Sequence, residues 1–98
     1  MTEDELQAKV TAMCDERGLM WHHCRDSRRC HGRRGLPDLL LAGEHGVLFR
    51  ELKGEHGVTS SMQDLWGWIL RKAGQDWALW RPSDLESGLI AAEMEKIS

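Results

Sequence analysis

The sequence predicts an α/β fold with its elements in the order α-β-β-β-α-β-α. Three observations predict it: an amphipathic opening segment, two short apolar runs separated by a glycine-bearing turn, and a second amphipathic segment followed by another short apolar run. Ninety-eight residues are enough for one modest hydrophobic core. We therefore expect a single domain that spans residues 1–98.

The opening segment predicts a helix from about Glu3 to Arg17. Apolar residues recur through it at helical spacing, Thr2 and Glu5 fit a capping box, and Gly18 is placed to end it. Residues 19–25 alternate in character and predict the first strand.

The two apolar runs, Leu39 to Ala42 and Val47 to Leu52, predict a β-hairpin around the glycines between them. A loop of two or of four residues gives the same register, and that register places Asp38 directly opposite Glu51. Directly opposed side chains have Cβ atoms roughly 5 Å apart. Lys53 follows Glu51 by two residues and therefore projects from the same face.

Two opposed carboxylates are unfavourable on a sheet face that is otherwise apolar. A divalent cation held between Asp38 and Glu51 would cancel their repulsion, and carboxylate oxygens with water suit Mg²⁺ or Mn²⁺. The alternative is that Glu51 and Lys53 are ordinary edge-strand charges and that Asp38 is a turn residue after Pro37.

Charge is unevenly distributed along the chain. The formal net charge is −3, yet residues 17–34 carry six arginines against one aspartate, whereas residues 1–16 are predominantly acidic. The arginine-rich segment is either a solvated charge run or a loop that contacts phosphate, and we favour phosphate contact because the segment leads directly to Asp38. Its candidate DNA-binding residues are Ser27, Arg28, Arg29, Arg33 and Arg34.

A second helix is predicted to begin near Ser60 and to end at Gly74. Gln63 would either form a capping box with Ser60 or hydrogen-bond solvent or phosphate above the sheet. The expected apolar stripe of this helix comprises Leu65, Trp66, Ile69, Leu70 and Ala73. A strand over residues 76–81 and a last helix, capped by Ser83 or Asp84, complete the chain.

The three cysteines are an odd number without framework spacing, so we expect reduced thiols. Cys24, Cys30 and nearby histidines lack the close ligand pairs of structural zinc sites, which disfavours a zinc-stabilised interaction domain. The acidic start differs from a signal peptide, and no apolar run reaches membrane-spanning length. We expect a cytoplasmic protein, in the bacterial host cytoplasm if it is phage-encoded.

Several short motifs occur in a specific order along most of the chain. They are Glu3-x-x-Leu6-Gln7, His23, Asp26-Ser27-Arg28-Arg29, Gly35-x-Pro37-Asp38, Glu51-x-Lys53, Gln63 and Arg81-Pro82-Ser83-Asp84. This ordered set resembles the VRR-NUC (virus-type replication-repair nuclease) family of the PD-(D/E)XK nuclease superfamily. The resemblance implies a restriction-endonuclease-like core, in which helices flank a mixed sheet.

The resemblance also implies an activity, namely Mg²⁺- or Mn²⁺-dependent hydrolysis of DNA phosphodiester bonds. Asp38, Glu51, Lys53 and Gln63 would be the catalytic residues. The metal ligands would be Asp38, Glu51 and the backbone carbonyl of Leu52, with Glu3 or Gln7 completing the outer shell. Stand-alone members resemble Holliday-junction resolvases, which implies a homodimer acting on branched DNA in phage replication, recombination or repair. The alternative is a catalytically idle DNA-binding accessory protein of the same fold.

Overall fold

A computed structural model describes residues 1–24 and 31–98. Within these ranges the helices and strands follow the predicted order, except that the last helix is divided in two. The helices are Glu3–Glu16 (α1), Ser61–Lys72 (α2), Pro82–Glu86 (α3) and Leu89–Ile97 (α4), and the strands are Met20–His23 (β1), Leu39–Gly43 (β2), Gly46–Leu52 (β3) and Asp76–Trp80 (β4).

The four strands form one mixed sheet in the order β1-β2-β3-β4. The first three strands pair antiparallel, whereas β4 returns through α2 to lie parallel to β3. The hairpin has the predicted register, with Leu40 opposite Phe49, and a two-residue turn at Glu44 and His45 closes it. The mixed sheet flanked by helices agrees with the predicted fold class.

The hydrophobic core lies on one face of the sheet, beneath α1 and α4. Alternate residues of the hairpin face it, because side chains along a strand point to opposite sides. The buried set comprises Leu6, Val10, Cys14, Leu19, Leu39, Leu41, Leu48, Leu52, Trp80, Ile90, Met94 and Ile97. The opposite face, which carries Asp38 and Glu51, is therefore free of the main core.

The opposite face of the sheet is only partly covered. Leu40 and Val47 are exposed on it, and α2 packs mainly against β4. The contact is made at Gly67, where a Cβ atom would lie only 2.8 Å from the ring of Trp77. Because Gly67 rather than a large side chain forms this contact, the predicted stripe is wrong at Leu65, Ile69 and Ala73, which are all exposed.

The ends of the helices agree with the predicted caps at α1 and α2 but not at the last helix. α1 and α2 carry the capping boxes predicted at Thr2–Glu5 and Ser60–Gln63. The final helix is interrupted at Gly88, whose φ of 86° is left-handed, and α3 begins after Arg81 rather than after Ser83 or Asp84. Over the described ranges, no helix is long and apolar enough to cross a membrane.

Candidate active site

The two acids predicted to face each other come together at one end of the hairpin. Asp38 directly precedes β2, and Glu51 lies on β3 next to Arg50, the partner of Leu39. The backbone N–H of Leu52 donates a hydrogen bond of 2.9 Å to the Asp38 carboxylate. This bond holds the Asp38 side chain on the ladder, beside Glu51.

Glu51 is a buried acid with no ion pair among the described residues. It is about 1% exposed, and in its ionised state neither carboxylate oxygen has a hydrogen-bond donor among those residues. Burial, followed by a hydrogen bond and like charge from Asp38, raises the pKa of Glu51 to about 10. The two carboxyl groups can share a hydrogen bond only while one is protonated, so an ionised pair is left unsatisfied.

The backbone beside this pair supplies a further acceptor. In an antiparallel strand, the N–H and C=O of one residue point toward the same neighbour. Because the Leu52 N–H points toward Asp38, we expect its carbonyl to face the β2 side as well, where an extension of the hairpin register would pair Leu52 with Pro37. Proline has no N–H, so position 37 cannot donate to that carbonyl.

These groups suit a hard divalent cation. Mg²⁺ and Mn²⁺ favour oxygen ligands, and Mg²⁺ commonly uses one or two protein carboxylates together with water and substrate phosphate. Asp38 and Glu51 offer such oxygens, the Leu52 carbonyl would add a third, and a cation there would compensate the charge of an ionised Glu51. Within the described ranges, no three His, Cys, Asp or Glu side chains cluster as a complete metal site. The described residues therefore fit a metal site with two carboxylate ligands, whose remaining ligands would come from the backbone, water and substrate.

A cavity over the acids brings further predicted residues together. Asp38, Glu51 and Lys53 line it, with Gln63 from the first turn of α2. Lys53 is only partly exposed, and its charge opposes the increase in the pKa of Glu51. The cavity thus combines acidic oxygens with a cation and an amide.

Gln63 performs the capping role that its position in the helix predicts. Its side-chain oxygen accepts a hydrogen bond of 2.8 Å from the Ser60 backbone N–H, while its own N–H bonds the Ser60 hydroxyl. Gln63 nevertheless lines the cavity. Both alternatives left open by the sequence are therefore compatible with its position.

At the N-terminus of α1, the candidates Glu3 and Gln7 differ in location. Of these two described side chains, only that of Glu3 lines the cavity. Burial and the nearby charge of Asp38 raise the pKa of Glu3. We therefore favour Glu3 over Gln7 as the residue that would complete the outer shell of the metal.

The arginine-rich segment is only partly described. Ser27, Arg28 and Arg29 lie outside the described residues, as does Cys30. Arg33 and Arg34 are exposed, and Arg34 lines the same cavity as the acids. The described end of the predicted phosphate-contacting segment therefore reaches the mouth of the cavity.

Contacts that the sequence analysis did not identify hold this segment in place. The indole N–H of Trp66 donates to the Arg34 carbonyl at 2.9 Å. Gly35 has a φ of 93°, and a Cβ atom there would lie 2.5 Å from the carbonyl carbon of Met62. Only glycine fits this position, and the glycine before Pro37 was the available signal.

The cysteines depart from the sequence prediction at one position. Cys24 is disulfide-bonded, so the expectation of a reduced thiol there is wrong, whereas Cys14 is free and buried in the core. A disulfide sulfur is not a thiolate and does not serve as a zinc ligand. The zinc alternative therefore loses one of its proposed ligands.

Comparisons with known proteins agree with this architecture. No protein-family model matches the chain, and no curated protein matches it. A solved structure described as a "VRR_NUC domain protein" is similar to it, with a TM-score of 0.71 and 22% sequence identity. The similarity covers 99% of this chain and 88% of that one. Along nearly its whole length, this chain therefore has the fold of a VRR_NUC domain protein.

Proposed function

We propose that this protein is a Mg²⁺- or Mn²⁺-dependent DNA endonuclease that hydrolyses phosphodiester bonds. The observation that carries the proposal is the buried, unpartnered carboxylate of Glu51 opposite Asp38. Such an arrangement costs folding stability unless a cation compensates it. A binding domain without catalytic activity has no need of it.

Asp38, Glu51 and the Leu52 carbonyl would hold the cation at the floor of the cavity. When bound, the metal supplies polarisation of the phosphate and a lower pKa for coordinated water. Lys53 would stabilise negative charge that develops on the phosphoryl oxygens, because it lines the same cavity. Gln63 would orient solvent or phosphate through its side-chain amide, and Glu3 would act on the outer ligands.

Arginines at the cavity mouth would bind the DNA backbone. Arg34 lines the cavity and Arg33, beside it in the chain, is exposed, and the sequence adds Arg28 and Arg29 to the same segment. Arginine contacts with phosphate position a duplex without reading its bases. We therefore propose selectivity for DNA structure rather than sequence, with branched intermediates such as Holliday junctions from phage replication, recombination or repair as substrates.

We also propose that the active form is a homodimer. A four-way junction presents two related strands, which two copies of a single site can cut. Leu65, Trp68 and Ile69 form an exposed apolar strip along α2, at the spacing of one helix face. This strip is a candidate for the contact between copies, and sedimentation with Trp68→Glu tests it.

The test of activity is cleavage of labelled four-way junctions, flaps and linear duplexes in Mn²⁺. We expect Asp38→Asn and Lys53→Met to lower the rate by at least about 1,000-fold and 100-fold, respectively, because they remove a metal ligand and a charge that stabilises the transition state. Glu44→Gln is the matched control, since Glu44 lies at the opposite, turn end of the same hairpin.

Two outcomes would contradict the proposal. Cleavage that persists in Asp38→Asn would show that the nuclease centre is elsewhere or is a contaminant. Junction binding in chelator, without nicking in either Mg²⁺ or Mn²⁺, would instead support the catalytically idle DNA-binding protein.

A further inference from the structure

An exposed leucine stands at the mouth of the cavity that holds the two acids. Leu36 is 52% exposed and lines the cavity together with Asp38, Glu51 and Arg34. It immediately precedes Pro37, which is buried, so Leu36 is the last exposed residue before the chain enters the site. Leu36 also borders a mainly apolar groove, so it lies where the polar cavity meets an apolar surface.

The backbone around Leu36 is fixed on both sides. On one side, Gly35 packs against the first turn of α2, and the Arg34 carbonyl is bound by the Trp66 indole. On the other, the Asp38 carboxylate accepts the Leu52 N–H. An exposed side chain on such a rigid loop loses little entropy on binding, which favours a role in contact.

The charges beside Leu36 indicate what it contacts. Arg33 and Arg34 are exposed next to it, and Lys53 lies within the cavity. A phosphate backbone bound by these cations would bring a nucleobase over the leucine. Aliphatic side chains contact base faces in this way where stacking is interrupted.

We infer that Leu36 is a base-contact site that covers the exposed face of a terminal base pair where a DNA strand branches. This inference rests on the proposed nuclease function and extends it to the origin of structural selectivity. In a continuous duplex that face is already stacked, and reaching it costs the energy of unstacking. At a branch the face is open, so contact with Leu36 favours branched over continuous DNA.

The experiment compares a flap substrate with a continuous duplex of the same sequence, for both cleavage in Mn²⁺ and binding in chelator by fluorescence anisotropy. We expect Leu36→Ala to lower kcat/KM for the flap about tenfold and to raise its Kd similarly, since buried aliphatic area is lost. The duplex values should change less than about twofold on the same argument. Leu36→Met should retain the preference, because methionine also makes apolar contact with bases.

Val58→Ala is the matched control. Val58 is even more exposed, at 83%, but it does not line this cavity. Equal losses on flap and duplex for Leu36→Ala, or no loss on the flap, would overturn the inference. If wild type cuts nothing, yet Leu36→Ala selectively weakens flap binding, the nuclease proposal fails and the base-contact site stands. If wild type does not prefer the flap in binding or cleavage, the base-contact site is wrong.

Discussion

Arg50 and Glu51 are neighbours on β3, both about 1% exposed, and they face opposite sides of the sheet. Arg50 points to the core side, where it is almost fully paired. It donates to the backbone carbonyls of Phe49 and Asp76, forms ion pairs of 3.0 Å with Asp76 and 2.9 Å with Glu93, and lies 5.0 Å from the ring centre of Trp80. The fold itself compensates this charge.

Glu51 lacks such pairing. Its oxygens have no donor in the described part of the chain, and the charge of Asp38 raises its pKa more than the charge of Lys53 lowers it. A buried polar group without a partner costs about 1–3 kcal/mol or more. The difference between the two residues indicates that the fold pairs Arg50 but leaves the cost of burying Glu51 uncompensated, as the proposed cation site requires.

Removing the paired charge should have the largest effect on stability. Arg50→Met leaves Glu93 largely buried without its cation, so we expect the free energy of unfolding to fall by about 3–5 kcal/mol, measured by urea denaturation. Arg71→Met is the matched control: Arg71 also lies over a tryptophan, 5.1 Å from Trp77, but on the exposed surface. Its loss should cost only about 0.5–1 kcal/mol. Equal effects of the two substitutions would contradict the structural role of Arg50.

Adding Mn²⁺, the proposed partner of Glu51, should have the next largest effect on stability. At about 100 times its Kd, Mn²⁺ should raise the free energy of unfolding by about 2.7 kcal/mol, because it binds only the folded state. Thermal unfolding measures this as an increase in Tm. The increase should persist in Glu44→Gln and disappear in Glu51→Gln. Retention in Glu51→Gln would show that the cation binds elsewhere.

Neutralising Glu51 without metal should have the smallest effect, with the opposite sign to the Arg50 substitution. The folded protein holds a proton on Glu51 up to a pKa of about 10, whereas the unfolded chain releases it near 4.5. Stability should therefore fall as pH rises from about 5 to 9. We expect Glu51→Gln to flatten this slope and to stabilise the protein by about 1–3 kcal/mol at pH 8, since an amide is neutral without taking up a proton on folding.

The measurement is urea denaturation of both proteins across this pH range in chelator. An unchanged slope in Glu51→Gln would mean that another group causes it. A destabilised Glu51→Gln would mean that the carboxylate has a partner inside the fold, and the contrast with Arg50 would no longer hold.

The sequence by itself determined the features that depend on neighbouring residues. The caps at Thr2 and Ser60 are local hydrogen bonds, and they form as predicted. The hairpin register follows from strand alternation and a glycine-bearing turn, so the approach of Asp38 to Glu51 is predictable from the spacing of residues alone. The order of elements and the mixed α/β architecture were likewise accessible from periodicity.

Tertiary structure decided which side of each element is buried. Alternation gave the hairpin two faces, but only the packing of α1 and α4 placed Leu39 and Leu41 in the core and left Leu40 exposed. On α2, close approach to Trp77 requires Gly67 at the contact, which rotates Leu65 and Ile69 outward. Neither contact is encoded in local spacing, because both depend on residues distant in sequence.

The same distinction applies to the site. The sequence determined that two acids and a lysine share one end of a hairpin, because their spacing along two strands requires it. Only the tertiary structure decided that Glu51 is fully buried while Asp38 is not, and that Glu3 rather than Gln7 reaches the cavity. The cavity over Glu51 is lined from α1, from the loop before β2 and from the start of α2, and the contacts of Trp66 and Gly35 that hold this loop to α2 join segments about 30 residues apart.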